Sequence, residues 1–430
     1  MFKPATTLAF ITFLITATGC SNIPSVCEGC SNPWKSSGKN STFIAPRDPG
    51  YDAYREYKLE ILQSEKHFPE WVTAKQRAEQ IEAISPKRHE PDAGNCDLNN
   101  RQGIILIHGL FDTPFIMRDL ADHFKSRCFS VYDVLLTGHG TRPGDLNTIS
   151  RDQWKSEVGH VVKAASAEVP TLYIGGYSLG GALSLHAAAN YKEIKAAFVF
   201  APALAPTSKL AYGSLGMSTF EGEFFKVFNE YDYAKYESLS HMAGSETYKL
   251  GHNVQRYLKD GFTKPLFVAV SLEDKTIDAR HTVKTIRAKG PNKMLIFAAD
   301  SSKADKLCDR YNLNNKSDTC STISSAIEKE GIKSLSHIGL VVNSDNCHYG
   351  KDGDYKNCLY AGANQRLCLE STINEESCKK NIICYGEQIR PTVNPDDNPF
   401  KEPVIRRITF NPHFNILTAE IDQFLKKLER

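Results

Sequence analysis

Short apolar runs alternate with amphipathic stretches through the middle of this chain. GIILIHG (103–109) is continuously apolar, as a strand buried on both faces should be. FSVYDVLL (129–136), TLYIGG (171–176), KAAFVFA (195–201), KPLFVAVS (264–271) and KMLIFAA (293–299) repeat the pattern. Helical stretches lie between them. One opens at Thr113-Pro114, a good N-cap and first-turn pair, and puts Ile116, Met117, Leu120, Ala121 and Phe124 on one face. Others cover Arg151–Ala167 and the small-residue stretch Gly180–Asn190, and Leu417, Ile421, Phe424 and Leu428 mark a last helix. Strand-helix alternation of this kind predicts an α/β fold: a mostly parallel sheet with helices on both faces.

The remaining segments sort themselves around that body, residues 103–430. Residues 50–102 form an N-terminal helical segment and connector. Within it Tyr51, Tyr54, Tyr57 and Ile61, then Trp71, Ala74, Ala78, Ile81 and Ile84, recur at helical spacing, with Pro69 separating two helices. Residues 85–102 are a polar connector. About 202–262 the chain is rich in aromatics, among them Tyr212, Phe220, Phe224 and Tyr236, and reads as a helical cap over the sheet. About 300–333 and 338–404 it is polar, cysteine-bearing and weakly periodic, which predicts insertions around the end of the last core strand.

Composition narrows the picture. Net charge is +2 with acids and bases mixed and no basic stripe, which argues against a nucleic-acid partner. Lys3, the apolar run Ala5–Ala17 and Thr18-Gly19-Cys20 make a targeting segment too short to span a bilayer, since a spanning helix needs about 20 residues. The small residues before Cys20 resemble a bacterial lipobox. That resemblance implies a signal peptide over 1–20, lipidation of Cys20 and, with Ser21 next, sorting to the outer membrane. Residues 21–49 are rich in Ser, Gly and Pro, as a flexible tether should be. Eleven further cysteines in an exported chain predict disulfides. We expect Cys96–Cys128, Cys308–Cys320 and Cys347–Cys358, with one thiol left over. Cys27-x-x-Cys30 has no second pair at zinc spacing. The sequence is silent on oligomeric state.

The chemistry centres on Gly176-Tyr177-Ser178-Leu179-Gly180, a G-x-S-x-G pentapeptide between a strand and a helix. That context is what a nucleophile elbow requires. A nucleophilic serine needs an acid, a base and oxyanion donors. Glu273, Asp274 and Asp278 follow the strand 264–271, and Asp278 also suits the N-cap of the next helix. His337, His348 and His413 follow the last core strand, where the order Ser…Asp…His places the base. Leu179 N–H is the first oxyanion donor expected.

HGLFDTP (108–114), TGHGTRPGDL (137–146) and GYSLGG (176–181), in that order, resemble the α/β-hydrolase superfamily and its carboxylesterase and monoacylglycerol-lipase-like branch. The resemblance covers about 100–300 and the last helix. It implies an α/β-hydrolase fold with Leu110 N–H as second oxyanion donor and structural roles for His108 and His139. Its pattern of a small residue, the acid and an aliphatic matches Ser271, Asp274 and Ile277. Ser336-His337-Ile338-Gly339 matches its histidine motif, though relatives reach that histidine by a much shorter loop. The expected function is a serine ester hydrolase with Ser178, His337 and Asp274 as its triad. It would act on a small-molecule ester or lipid, without metal or organic cofactor, and be held at a membrane only by its lipid anchor. A peptidase or acyltransferase on the same elbow, and a non-catalytic binding lipoprotein, are the competing readings.

Overall fold

The six apolar runs become six strands of one sheet, with a two-residue strand added at one edge and a seven-residue strand at the other. The computed structural model describes residues 32–91, 96, 101–207, 224–286, 292–314, 318–387 and 403–429. In chain order the strands are β1 (Arg88–His89), β2 (Gln102–Ile107), β3 (Phe129–Val134), β4 (Thr171–Tyr177), β5 (Ile194–Phe200), β6 (Phe224–Lys226) and β7 (Leu239–Ser240). They continue with β8 (Leu266–Ser271), β9 (Asn292–Ala298), β10 (Asp318–Ser324), β11 (Ile383–Gly386) and β12 (Val404–Arg407). The main sheet runs β1-β3-β2-β4-β5-β8-β9-β10, parallel throughout except for β1 against β3. This is the α/β-hydrolase fold.

Strand side chains alternate between two hydrophobic clusters, as a pleat dictates. Ile105 and Ile107 of β2, and Val268 and Val270 of β8, face a cluster built with Trp154, Leu183 and Val254. Ile104, Leu106 and Phe267 face the other, with Leu120, Phe124, Leu417 and Phe424. Helices Arg151–Glu168, Leu179–Asn190 and His241–Gly261 thus supply residues to one face, and Arg118–Ser126 and Phe414–Leu428 to the other.

Several expectations change in detail. The N-terminal helices are Tyr51–Glu65 and Ala74–Ile84, the second opened by a capping box of Thr73 with Gln76. The first buries Tyr51, Tyr54, Lys58 and Leu62, so the inward stripe passes through a lysine and not through Tyr57 and Ile61. Trp71 precedes the second helix and is 68% exposed. The Thr113 hydroxyl donates to Ala234 O at 2.7 Å instead of capping a helix, and a 3-10 turn, Pro114–Met117, comes first. Of the range read as a cap, 208–223 lies outside the described residues. The rest holds the antiparallel pair β6–β7 and the helix His241–Gly261, whose Ala243, Leu250 and Val254 enter the core.

Residues 300–333 are a correction. They hold the helix Ser301–Arg310 and strand β10, which pairs in parallel with β9 from Asp318↔Asn292 to Ser324↔Ala298. DTCSTIS lacks an apolar run because it lies at the sheet edge. Cys96–Cys128 and Cys308–Cys320 form as expected. Cys347–Cys358 does not. Cys358 is buried against Cys368 and bonds to it, Cys378 bonds Cys384, and Cys347 is an exposed thiol 3.7 Å from an Arg118 nitrogen. Cys20, Cys27 and Cys30 lie outside the described residues. The tether range also ends early. Ser36 and Ser37 donate to the buried Asp145 carboxylate, Gly144 N–H donates to Pro33 O, and Asn40 reaches His139 O and Thr141.

Candidate functional site

The turn between β4 and the helix Leu179–Asn190 puts Ser178 at φ 55°, ψ −113°, a backbone strain that L-residues rarely adopt. Its neighbours must be glycine for lack of room. A Cβ on Gly180 would sit 2.0 Å from Ile107 O, and one on Gly176 would sit 2.3 Å from the Gly180 carbonyl. The strand and helix can therefore close on the loop after β2. Ser178 N–H donates to Phe200 O, and Ser178 O accepts from Ala203 N–H, both at 2.9 Å, which fixes the elbow.

His337 Nε2 lies 3.0 Å from Ser178 Oγ, and its Nδ1 lies 2.5 Å from Asp274 Oδ2. With a carboxylate at Nδ1, the proton belongs there, and Nε2 is left to accept from the serine hydroxyl. All three residues are buried, at 7%, 5% and 4% exposure for Ser178, Asp274 and His337. Asp274 Oδ1 accepts from Thr276 N–H at 2.7 Å and Ile277 N–H at 2.8 Å, so the carboxylate is oriented from both oxygens. Asp278 instead accepts from His281 N–H at 2.9 Å as cap of the helix Ala279–Thr285. Burial raises the Glu273 carboxyl, which takes up a backbone hydrogen bond from Ala299.

The other two histidines are elsewhere. His348 Nε2 meets Asp232 Oδ1 at 3.0 Å in a buried aromatic nest with Phe115, Tyr233 and Tyr349. His413 stacks on Phe297 just before the last helix. Leu179 is the first residue of its helix, where a backbone N–H has no intrahelical acceptor. Leu110 sits in the loop after β2, followed by Phe111 at φ 72°. That loop is braced from two sides. Tyr236 N–H donates to Phe111 O at 2.8 Å, while His108 donates from Nδ1 to Gly109 O at 2.7 Å and accepts at Nε2 from Leu136 N–H at 3.1 Å. Burial pushes His108 down to about 3, so it is a neutral clasp across two loops. Burial also lowers His139, with His108 adding to the effect.

Three nearby residues escaped the sequence reading. Burial lifts the Asp112 carboxyl, on the same loop, to about 6. Glu387 and Arg407 form a buried ion pair whose carboxylate accepts from His337 N–H. Nothing local marks the latter two, since both lie at the ends of short strands in a weakly periodic, cysteine-bearing region. A cleft lined by Lys66, His67, Thr113, Glu230, Lys235 and Tyr236 lies beyond the loop, and Ser178, Asp274 and His337 do not line it. Among the described residues, no helix is long and apolar enough to cross a membrane, and no cluster of three His, Cys, Asp or Glu side chains is arranged to hold a metal.

Residues 99–243 match the family model Hydrolase_4, described as serine aminopeptidase, S33. The thermostable monoacylglycerol lipase of Bacillus sp. is 30% identical over 96 residues, 22% of this chain and 38% of the relative. A pimeloyl-[acyl-carrier protein] methyl ester esterase of Xanthomonas campestris pv. campestris is 31% identical over 124 residues, 29% of this chain and 42% of the relative. The chain thus spans about two fifths of the length of the curated relatives it matches. Among solved structures, one chain described under the metagenome-derived lipolytic enzymes LipS and LipT aligns at TM-score 0.44 and 20% identity, over 54% of this chain and 96% of that one. A soluble variant of the Saccharomyces cerevisiae monoglyceride lipase aligns at 0.42 and 13%, over 55% and 92%.

Proposed function

We propose that this chain is a serine hydrolase of carboxylic esters, with Ser178 as nucleophile, His337 as base and Asp274 as its orienting acid. The observation that carries the reading is the contact series Ser178 Oγ, His337 Nε2 and Nδ1, Asp274 Oδ2, at 3.0 and 2.5 Å. In the first step His337 Nε2 takes the hydroxyl proton as Oγ attacks the ester carbonyl. Asp274 stabilises the imidazolium that forms. The N–H groups of Leu110 and Leu179 receive the oxyanion, each such donor contributing about 3–4 kcal/mol to the transition state. His337 then protonates the departing alcohol, and water, deprotonated by the same nitrogen, releases the acid from the acyl-enzyme. Both curated relatives carry names of ester-cleaving enzymes, which supports lipid-like or medium-chain acyl esters as substrates.

A fluorophosphonate probe is expected to label the wild type on Ser178. Ser178→Ala should take no label and lose p-nitrophenyl butyrate hydrolysis by about 10³-fold or more while keeping its melting temperature. Undiminished hydrolysis by folded Ser178→Ala would sink the reading. The matching family model is described as a serine aminopeptidase, which favours amide cleavage as the second reading. Release of the N-terminal residue from short peptides, at rates above those with esters, would select it. Transfer to a competing alcohol would point to an acyltransferase. We also propose Cys20 as a lipidated N-terminus that holds the enzyme at the outer membrane.

A further inference from the structure

His337 is held by more than Asp274. Its backbone N–H donates to Glu387 Oε2 at 2.8 Å, and Glu387 Oε1 accepts from Arg407 Nε at 2.6 Å. The same guanidinium reaches Thr276 Oγ1 at 3.2 Å, and the Thr276 N–H donates to Asp274 Oδ1 at 2.7 Å. The contacts leave the histidine loop, pass through a carboxylate and a guanidinium, and return in the aspartate loop. Both side chains are buried, Glu387 at 1% and Arg407 at 10% exposure.

Neither residue belongs to the sheet that carries Ser178. Glu387 follows β11 and Arg407 ends β12, two parallel strands of a separate pair. Cys378–Cys384 closes a short loop onto β11. Arg406 donates from Nε to Cys368 O at 2.7 Å and from a terminal nitrogen to Ser371 O at 2.8 Å. That fastens β12 to the loop closed by Cys358–Cys368. Two disulfides therefore stand behind the pair that joins the two triad loops.

The choice of residue types is informative. A neutral amide could accept the His337 N–H without the desolvation that a carboxylate undergoes on burial. The carboxylate puts a negative charge beside the imidazole as well as a hydrogen-bond acceptor under its backbone. The charged and titratable groups about His337 are Asp274 on the loop after β8, Asp112 on the loop after β2, Tyr177 of β4 with its ring 5.0 Å away, Glu387, and Arg407, with Lys275 N–H 3.5 Å from Glu387. Arg407 is the cation that Glu387 compensates there.

We infer that Glu387 and Arg407 are positioning residues for the catalytic pair, and that the disulfide-tied β11–β12 module exists in part to present them. They hold the histidine and aspartate loops at a set separation, and Glu387 offsets the Arg407 charge at the imidazole. This inference rests on the reading of Ser178, His337 and Asp274 as a triad.

The test compares E387Q, E387A, R407M and E387Q/R407M in the full chain, with kcat and KM measured against pH per fluorophosphonate-titrated site. R366A, on the exposed Arg366–Glu370 pair of the same module, is the control and should behave as wild type. E387Q keeps an acceptor but leaves Arg407 uncompensated. A cation near the imidazole disfavours its protonated form, so the acid limb of kcat/KM should move to lower pH by about 0.5 unit or more. E387Q/R407M should return that limb to the wild-type position. E387A should lose about 10²-fold in kcat with KM little changed, as misplacement of a reacting group does. Wild-type kcat and acid limb in E387Q and E387Q/R407M, with only the melting temperature lowered, would make the pair structural and overturn the inference. No labelling of wild-type Ser178 would remove the triad reading first, and the inference with it.

Discussion

Lys58 lies on the inner face of the first helix with 1% of its side chain exposed, where its ammonium has almost no water to return to. Its partners are Glu157, which it ion-pairs, and Thr137 Oγ1 at 3.0 Å. Glu157 also accepts from Thr137 N–H at 2.7 Å and lies 3.4 Å from the Tyr54 hydroxyl. Burial pulls Lys58 below the usual lysine range, and the Glu157 charge pulls it partly back. Removing the anion alone strands a buried cation, so Glu157→Gln should cost about 3–5 kcal/mol in chemical denaturation. Lys58→Met with Glu157→Gln should cost clearly less than Glu157→Gln alone, because the desolvated charge is gone. Equal losses in the two variants would contradict this account. The same residue explains a miss at this scale. Helical spacing predicts helix from Tyr51 up to the break at Pro69, but hydrophobic patterning reads any lysine as outward-facing. The apolar pattern therefore points inward through Tyr57 and Ile61, one position away from the buried Lys58 and Leu62.

Elements were legible where burial leaves a mark on composition. β2, β3, β4, β5, β8 and β9 are covered on both faces and read as apolar runs, and the elbow follows from two glycines that have no room for a side chain. The meeting of Ser178, His337 and Asp274 could be anticipated only as chain order and local motif. Strand β10 and the β11–β12 pair were not legible. The first lies at the sheet edge, and the second is held by cysteines whose pairing no local pattern fixes. That difference leads to an expectation for the disulfides. Cys378–Cys384 and Cys308–Cys320 close loops of 6 and 12 residues, so each should contribute about 2–3 kcal/mol by restricting the unfolded chain. Serine at both positions of either pair should therefore lower the melting temperature by similar amounts. Only loss of Cys378–Cys384 should also lower kcat per titrated site, since Glu387 follows its strand whereas Cys320 lies at the far edge beside β9. A fall in kcat of the same size in both variants would argue against a special place for β11.

At the scale of the whole molecule, the sheet separates two hydrophobic clusters, and the C-terminal module extends one of them through Ile332, Leu340, Tyr349, Ile383 and Phe410. The N-terminal stretch is fastened to residues in the middle of the chain, about 100 to 200 positions further on. Ser36, Ser37 and Thr141 surround the Asp145 carboxylate, and Trp34 is buried with its indole nitrogen 3.3 Å from Ser238 Oγ. Cys20→Ala should shift esterase activity from the membrane to the soluble fraction, and unchanged fractionation would remove the anchor from the proposal. With the lipid in place, the pinning of residues 33–40 acts as a leash. Twelve residues lie between Cys20 and Pro33, and the thirteen chain steps from one to the other reach at most about 45 Å when fully extended. On so short a lead the proposed enzyme would work on esters within or close above its own membrane, and distant ones would have to diffuse to it.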